Sequence, residues 1–97
     1  MAEQVIITGA GLGGLATALR LTSKGYKVKI LEKYHQPGGR LNSYKEQGFT
    51  FDLGPSFFSM SYEFDELFQS CGMENPLKYQ QLAPLYTVNF AGSDRKF

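Results

Sequence analysis

The sequence is poor in the residues that build cross-links, metal centres and acid–base sites. Cys71 is the only cysteine among 97 residues, so neither an intramolecular disulfide nor a cysteine-rich zinc site can form. This cysteine usage suits a reducing compartment, and we expect a cytoplasmic location. His35 is the only histidine, and no serine or cysteine partner for it is evident. We therefore expect neither a catalytic triad nor a metal site.

The chain also has a small net charge and no long apolar run. Ten basic and nine acidic side chains leave a net charge of +1, which gives no broad field to attract nucleic acid or an anionic membrane. Residues 5–19 carry no charge, but they include four glycines, fall short of the about 20 residues that cross a bilayer, and follow no basic segment. We expect this run to be buried structure and the chain to have no nucleic-acid partner.

The hydrophobic and aromatic content of the chain is high enough for a folded unit. Hydrophobic residues make up 42% of the chain and aromatic residues 14%, and 97 residues correspond to about one domain. The composition predicts a single compact unit over residues 1–97, with modest stability because small chains bury less of their surface.

The first part of the chain has the pattern of a βαβ unit. A β-branched strand over residues 4–8 precedes a helical stripe formed by Leu12, Leu15, Ala16 and Leu19, which is expected to face the sheet. Gly25 is placed to end the helix in a left-handed conformation, and a second strand follows over residues 27–32. The pattern predicts an α/β fold with a parallel sheet.

The strand and the helix are joined by a glycine-rich loop that matches the G-x-G-x-x-G pattern of dinucleotide-binding proteins. Gly9 would permit the tight turn, Gly11 would let a pyrophosphate approach the backbone, and Gly14 would allow close packing of helix and strand. The phosphates would meet backbone N–H groups at the positive end of the helix dipole. A turn that serves only packing is the alternative.

Glu32 follows the second strand at the spacing expected for a ribose-binding acid. A carboxylate there accepts hydrogen bonds from both ribose hydroxyls and disfavours a 2′-phosphate, but it does not separate NAD from FAD. The alternative is a solvated surface glutamate. Further on, Gly38, Gly39 and Arg40 follow Pro37, so that two glycines allow close backbone approach and Arg40 offers donors to phosphate or flavin oxygens. A plain turn with a surface arginine is the alternative.

Together these features resemble the extended signature of the amine-oxidase-like flavoproteins, a superfamily that includes amine oxidases, protoporphyrinogen oxidases and carotenoid desaturases. The segment Gly48–Pro55 further resembles the one that follows the signature in bacterial phytoene and dehydrosqualene desaturases. The resemblance implies a Rossmann-like FAD-binding unit, and such enzymes are several times longer than this chain. It therefore implies an incomplete domain, the N-terminal piece of such an enzyme. The residues expected to contact the cofactor are Gly9, Gly11, Leu12, Gly13, Gly14, Glu32, Lys33, Gly39, Arg40, Gly54, Pro55 and Ser56.

The implied function is desaturation of an acyclic carotenoid precursor by hydride transfer to FAD, with the 97 residues alone inactive. No catalytic acid or base can be named. The substrate would be an isoprenoid lipid, and peripheral membrane contact would involve only other parts of the protein. Alternatives are a carotenoid isomerase, an amine oxidase or a protoporphyrinogen oxidase, an NAD-dependent dehydrogenase fragment, or a non-enzymatic nucleotide-binding module. We also expect the isolated chain to self-associate through exposed apolar surface.

Three further elements are expected after the signature. Residues 41–45 and 49–51 should form a hairpin around a three-residue connection, Glu46 to Gly48. Ser61 should cap a helix whose apolar stripe is Phe64, Leu67, Phe68 and Cys71, with Gly72 ending it. Residues 85–90 alternate like a strand, and residues 95–97 should begin a returning strand.

Overall fold

The computed structural model describes residues 3–94 and contains two small sheets and two helices. In chain order the elements are β1 (Gln4–Thr8), α1 (Leu12–Ser23), β2 (Lys27–Leu31), a 3-10 turn (Gly39–Leu41), β3 (Ser43–Glu46), β4 (Phe49–Asp52) and α2 (Ser61–Ser70). The predicted α/β class and the βαβ unit are confirmed.

The parallel sheet consists of β1 and β2, paired in register from Gln4 with Lys27 to Thr8 with Leu31. The Gly9 N–H extends this ladder by donating to the Leu31 carbonyl at 2.7 Å. Both strands alternate between half-buried and exposed residues, because only one face of the sheet is covered by α1. The carboxyl ends of both strands thus lie at the same edge, directly beside the glycine loop.

Helix α1 ends where the sequence predicts, but its buried face is rotated from the predicted stripe. Gly25 has φ +92° and donates to the Thr22 carbonyl at 3.0 Å, as a left-handed helix end requires. Leu12 and Leu15 are exposed. The half-buried helix positions are Gly14, Ala16, Ala18, Leu19 and Leu21. The small residues among them let the helix lie close to the sheet.

The hairpin is confirmed, with a shorter connection than expected. Glu46 pairs directly with Phe49, which leaves a two-residue loop of Gln47 and Gly48. Both have positive φ, 51° and 82°, the geometry of the tight turns whose twist matches that of antiparallel strands. The prediction missed that Gln47 also adopts the left-handed conformation.

Helix α2 carries the predicted stripe but not the predicted cap. The residues Phe64, Leu67, Phe68 and Cys71 are half-buried, and Gly72 has φ +70° after the last turn. Ser61 is already the first helical residue, and the N-cap is Met60 in a left-handed conformation without a side-chain cap. The expectation that Ser61 caps the helix was wrong, because the chain enters through the left-handed turn one residue earlier.

The strand expected over residues 85–90 is absent. Asn89 alone forms a backbone bridge there, and no strand runs over these residues. Alternating apolar residues form a strand only where backbone pairing continues over several residues. The strand predicted from residue 95 onward falls outside the described residues.

The expectation of a compact unit was also wrong. The radius of gyration is 18.5 Å, against about 13 Å for a compact domain of 100 residues. Ala10 is the only buried hydrophobic residue of the described part, while many large apolar side chains are exposed. The uncovered sheet face and hairpin explain both observations. Within residues 3–94, neither helix has the length and apolar character to cross a bilayer.

Candidate functional site

The glycine loop, residues 9–14, combines open backbone with one very close approach. Gly9 has φ +101°, and a methyl group added to Gly14 would lie 2.2 Å from the Gly9 carbonyl oxygen. A methyl group added to Gly11 or Gly13 would meet nothing within 4 Å. Gly14 is therefore required by packing, whereas Gly11 faces space that an external group can fill.

Helix α1 begins immediately after this space. Leu12 and Gly13 form its first exposed residues, and the Leu15 N–H donates to the Gly11 carbonyl at 3.0 Å. The N–H groups that precede Leu15 in the helix have no intrahelical acceptor, and the helix dipole places positive potential there. The geometry is that of an anion-binding turn.

Glu32 connects the end of β2 to the glycine loop. Its Oε2 accepts a hydrogen bond from the Ala10 N–H at 3.3 Å, and Ala10 is only 4% exposed. The carboxylate is thereby oriented before any ligand arrives. It borders a groove of about 330 Å³ whose lining residues are Ala10, Leu15, Ile30, Glu32, Tyr34, His35, Gln36 and Pro37.

The glycine–arginine corner, residues 38–40, packs on the other side of the glycine loop. The Gly38 N–H donates to the Ala10 carbonyl at 2.8 Å. A methyl group added to Gly39 would lie 3.1 Å from the Gly11 Cα, and Gly39 has φ +56°. Gln36 secures the corner, since its Nε2 donates to the side chain of Asn42 and to the Ser43 carbonyl. The glycine loop and the glycine–arginine corner, which are distant in sequence, therefore touch through the backbone of glycine residues.

Gly54 makes a further close backbone contact, with the glycine–arginine corner. A methyl group on it would lie 2.3 Å from the carbonyl oxygen of Arg40, and the neighbouring Leu53 N–H donates to the Asn42 carbonyl at 2.9 Å. Pro55 follows directly, so the last three residues expected to contact the cofactor, residues 54–56, start against the glycine–arginine corner.

Ser56 opens a second cavity, here called the aromatic pocket, with a volume of about 490 Å³. Its lining residues are Ser56, Phe57, Phe58, Met60, Ser61, Tyr79, Gln80, Gln81, Leu82 and Leu85. The Phe58 ring lies between two others, with centroid distances of 4.7 Å to Phe64 and 5.2 Å to Tyr79. Along the chain, the pocket begins at Ser56, the residue after Pro55.

The structure thus brings most predicted site residues together. Gly11, Gly39, Arg40 and Gly54 form one continuous line of backbone contacts, with Glu32 beside it. Lys33 has its Nζ 4.8 Å from the centre of the ring of Tyr34, which lines the same groove as Glu32. The cofactor-binding roles of all these residues stay predictions.

Sequence reasoning missed three residues that shape the groove and its support. Tyr34 lines the groove, Ala10 supplies both an N–H and a carbonyl to the junction, and Gln36 bonds across the corner. The available signal was the position of Ala10 inside the glycine loop and of Tyr34 and Gln36 between the acid and the twin glycines. His35 also lines the groove beside Glu32.

Comparison with known proteins gives concordant results. The family described as flavin containing amine oxidoreductase matches residues 12–96. A 4,4'-diapophytoene desaturase (4,4'-diaponeurosporene-forming) of Staphylococcus aureus strain Newman is 40% identical over 94 residues. This match covers 95% of the chain but 19% of the relative, so the chain spans about a fifth of that protein's length.

Two solved structures are also similar. An oxidoreductase from Methanosarcina mazei aligns with a TM-score of 0.51 and 36% identity, over 55% of this chain and 13% of that one. Reduced UDP-galactopyranose mutase aligns with a TM-score of 0.55 and 38% identity, over 68% of this chain and 14% of that one. Given the family match over most of its length, together with the glycine loop, Glu32 and the glycine–arginine corner, this chain belongs to the flavin containing amine oxidoreductases.

Proposed function

We propose that residues 1–97 form the FAD-binding part of an oxidoreductase that desaturates an acyclic isoprenoid precursor. The observation that carries the proposal is the 40% identity to 4,4'-diapophytoene desaturase over 95% of the chain, through both the glycine loop and the Gly54 segment. Family membership implies FAD as the cofactor. The likeness to both an oxidoreductase and a mutase means that fold alone does not select the reaction.

The residues present fit FAD. Open space at Gly11 beside the start of α1 suits the diphosphate, and the oriented Glu32 carboxylate suits the ribose of the adenosine end. Arg40 adds guanidinium donors at the corner, where its fork geometry suits phosphate or flavin oxygens. Lys33 would contribute charge near the same end, and Gly13 and Leu12 would border the phosphates.

Bound in this way, FAD would accept the hydride that leaves the substrate. The contribution of this chain is to bind and orient. Gly54, Pro55 and Ser56 would lie at the flavin ring, between the glycine–arginine corner and the aromatic pocket. No residue here is proposed as an acid or base. Peripheral membrane contact, if the apolar substrate requires it, would use other parts of the protein, and a cytoplasmic location remains our expectation.

Cofactor binding is tested by titrating the purified protein with FAD and with NAD while following flavin fluorescence and thermal stability. Gly11→Val should weaken FAD binding at least about tenfold, because the valine fills the diphosphate space without meeting any described protein atom. Ala91→Val, an exposed position outside the site, is the matched control. Equal FAD binding by Gly11→Val and wild type, or preferential stabilisation by NAD, would contradict the assignment.

The reaction is tested with the full gene product. We expect turnover of 4,4'-diapophytoene or phytoene, seen as new visible absorbance from the longer conjugated system. Amines and protoporphyrinogen serve as the competing substrate classes. Turnover of either, with neither polyene precursor consumed, would replace desaturation by another reaction of the same family.

A further inference from the structure

A cluster of three polar side chains connects α2 to the chain that follows it. Tyr79 donates its hydroxyl hydrogen to the Asp65 Oδ1 at 2.6 Å, and the Asn75 amide donates to the same oxygen at 2.7 Å. Asn75 also donates to the Tyr79 hydroxyl oxygen at 3.0 Å. We call this closed triangle the carboxylate latch.

Tyr79 and Asn75 each make more than one hydrogen bond in or beside the latch. The single hydroxyl hydrogen of Tyr79 goes to the carboxylate, so the Ser61 carbonyl, 3.5 Å away, is at most a weak second acceptor. The Asn75 amide donates towards the carboxylate and the hydroxyl oxygen together, and its Oδ1 accepts the Leu77 N–H at 2.9 Å. Asn75 therefore fixes its own backbone turn and the tyrosine at the same time.

The segment held by the latch lacks a backbone ladder. Residues 73–82 form neither helix nor strand, so their position relative to α2 depends on side-chain contacts. Tyr79 supplies two of these at once. Its hydroxyl is held by Asp65, and its ring stacks on Phe58 with an interplanar angle of 21°.

The same segment forms one wall of the aromatic pocket. Residues 79–82 and residues 56–58 both line the pocket, and Tyr79 and Phe58 stack on each other within this lining. Ser56 follows Pro55 and so joins the lining to the Gly54 segment. Any shift of Tyr79 would change both the width of the pocket and the support of Phe58, which is two residues beyond Ser56. Asp65 and Asn75 hold the Tyr79 hydroxyl but do not line the pocket themselves, so they influence its shape only through Tyr79.

We propose that the carboxylate latch fixes the width of the aromatic pocket and that Tyr79 is a positioning residue for the apolar part of the substrate. The proposal rests on the proposed function, since it takes the isoprenoid chain as the occupant. Asp65 acts through Tyr79, and Tyr79 acts through the wall it forms with Phe58. Neither residue takes part in hydride transfer.

The test compares Tyr79→Phe with Tyr62→Phe in the FAD-loaded full gene product. Tyr79→Phe keeps the ring on Phe58 but removes the hydroxyl, whereas Tyr62 is an exposed tyrosine on α2 outside the latch. We expect Tyr79→Phe to raise KM for the precursor about three- to tenfold, as expected for loss of a positioning hydrogen bond. FAD content, the flavin spectrum and kcat should match wild type, and Tyr62→Phe should match it in every measurement.

Hydrogen exchange of the Leu77 N–H, which donates to the Asn75 Oδ1, provides the structural readout. Exchange should be about three- to tenfold faster in Tyr79→Phe and in Asp65→Ala, and the double variant should add little, because both changes open the same latch. Glu66→Ala, which removes a neighbouring exposed carboxylate, is the matched control.

The outcomes separate this inference from the proposed function. Wild-type exchange in Tyr79→Phe, or faster exchange with unchanged KM, would overturn the positioning role while desaturation stands. A fall in kcat or FAD content without a change in KM would also overturn it. Absence of polyene turnover by the wild type would overturn the proposed function, and the substrate role of Tyr79 with it.

Discussion

The Cα of Gly14 lies so near the Gly9 carbonyl that a methyl group on Gly14 would be 2.2 Å from the carbonyl oxygen. No real contact of this kind is that short, so any larger residue must displace either β1 or α1. The closeness brings the first turn of the helix to the end of the strand, where its free N–H groups would meet the diphosphate of the proposed cofactor.

The first prediction concerns two adjacent glycines. Gly14→Ala should destabilise the purified protein by about 1–3 kcal/mol through overpacking. Gly13→Ala, with nothing within 4 Å of the added methyl group, should be neutral or stabilising by up to about 1 kcal/mol because alanine favours helix. Thermal melting without added FAD measures both. Equal midpoints for the two variants would show that the close approach does not matter.

The second prediction concerns Glu32. Glu32→Gln keeps an oxygen that can accept the Ala10 N–H but replaces the charged acceptor for the ribose hydroxyls. FAD affinity should fall about tenfold, as for loss of hydrogen bonds to a charged group, whereas FMN, which lacks the adenosine end, should bind as it does to wild type. A parallel loss of FMN affinity would place Glu32 at the flavin end instead. Equilibrium dialysis distinguishes the two results.

The third prediction is the pH range of the carboxylate latch. Hydrogen bonds from Tyr79 and Asn75 lower the pKa of Asp65, and the bond to Asp65 raises the pKa of Tyr79. A lowered acid pKa gives stability above the ordinary value of about 4 that is lost as pH falls through the folded-state pKa. The raised tyrosine pKa gives stability below its ordinary value of about 10 that is lost as pH rises past the folded-state pKa.

The latch should therefore be closed throughout the range between those two values. Tyrosinate absorbance of wild type minus that of Tyr79→Phe reports the titration of Tyr79. Asp65→Ala should return its pKa towards the ordinary value, and Glu66→Ala should leave it raised. An ordinary Tyr79 titration in the wild type would show that the triangle does not persist in solution.

The fourth prediction concerns association of the isolated 97 residues. Phe49 and Phe51 on the hairpin are 67% and 55% exposed, and similar side chains follow in residues 57–62. Sedimentation should show self-association that increases with concentration, because large exposed apolar patches favour contact with other chains. A well-dispersed monomer without ligand at all concentrations would contradict this expectation.

Local patterns predicted the elements whose causes are local. The strand–loop–helix order, the left-handed Gly25 and the α2 stripe follow from residues within a few positions of one another, and the structure has them. The strand expected at residues 85–90 is absent, because alternation describes the two faces of a segment but does not provide the backbone pairing that a strand requires. The expectation of a compact unit was wrong because composition gives the number of apolar residues but not which apolar faces another element covers.

The residues of the candidate site also divide into those that the sequence predicted and those that it did not. Spacing and residue type predicted a diphosphate site at Gly11 and a ribose site at Glu32, and the family resemblance added Gly39. The carboxylate latch was not predicted, since Asp65 and Tyr79 meet only through the path of an irregular segment. Contacts of that kind need the folded chain.

The bond from the Gly38 N–H to the Ala10 carbonyl joins the loop that we propose for the diphosphate to the corner that we propose for phosphate or flavin oxygens. A ligand that immobilises one segment reduces the disorder that remains to be lost at the other. AMP and a flavin mononucleotide, offered as separate halves, should consequently reinforce each other's binding even without the covalent bond that joins them in the intact dinucleotide.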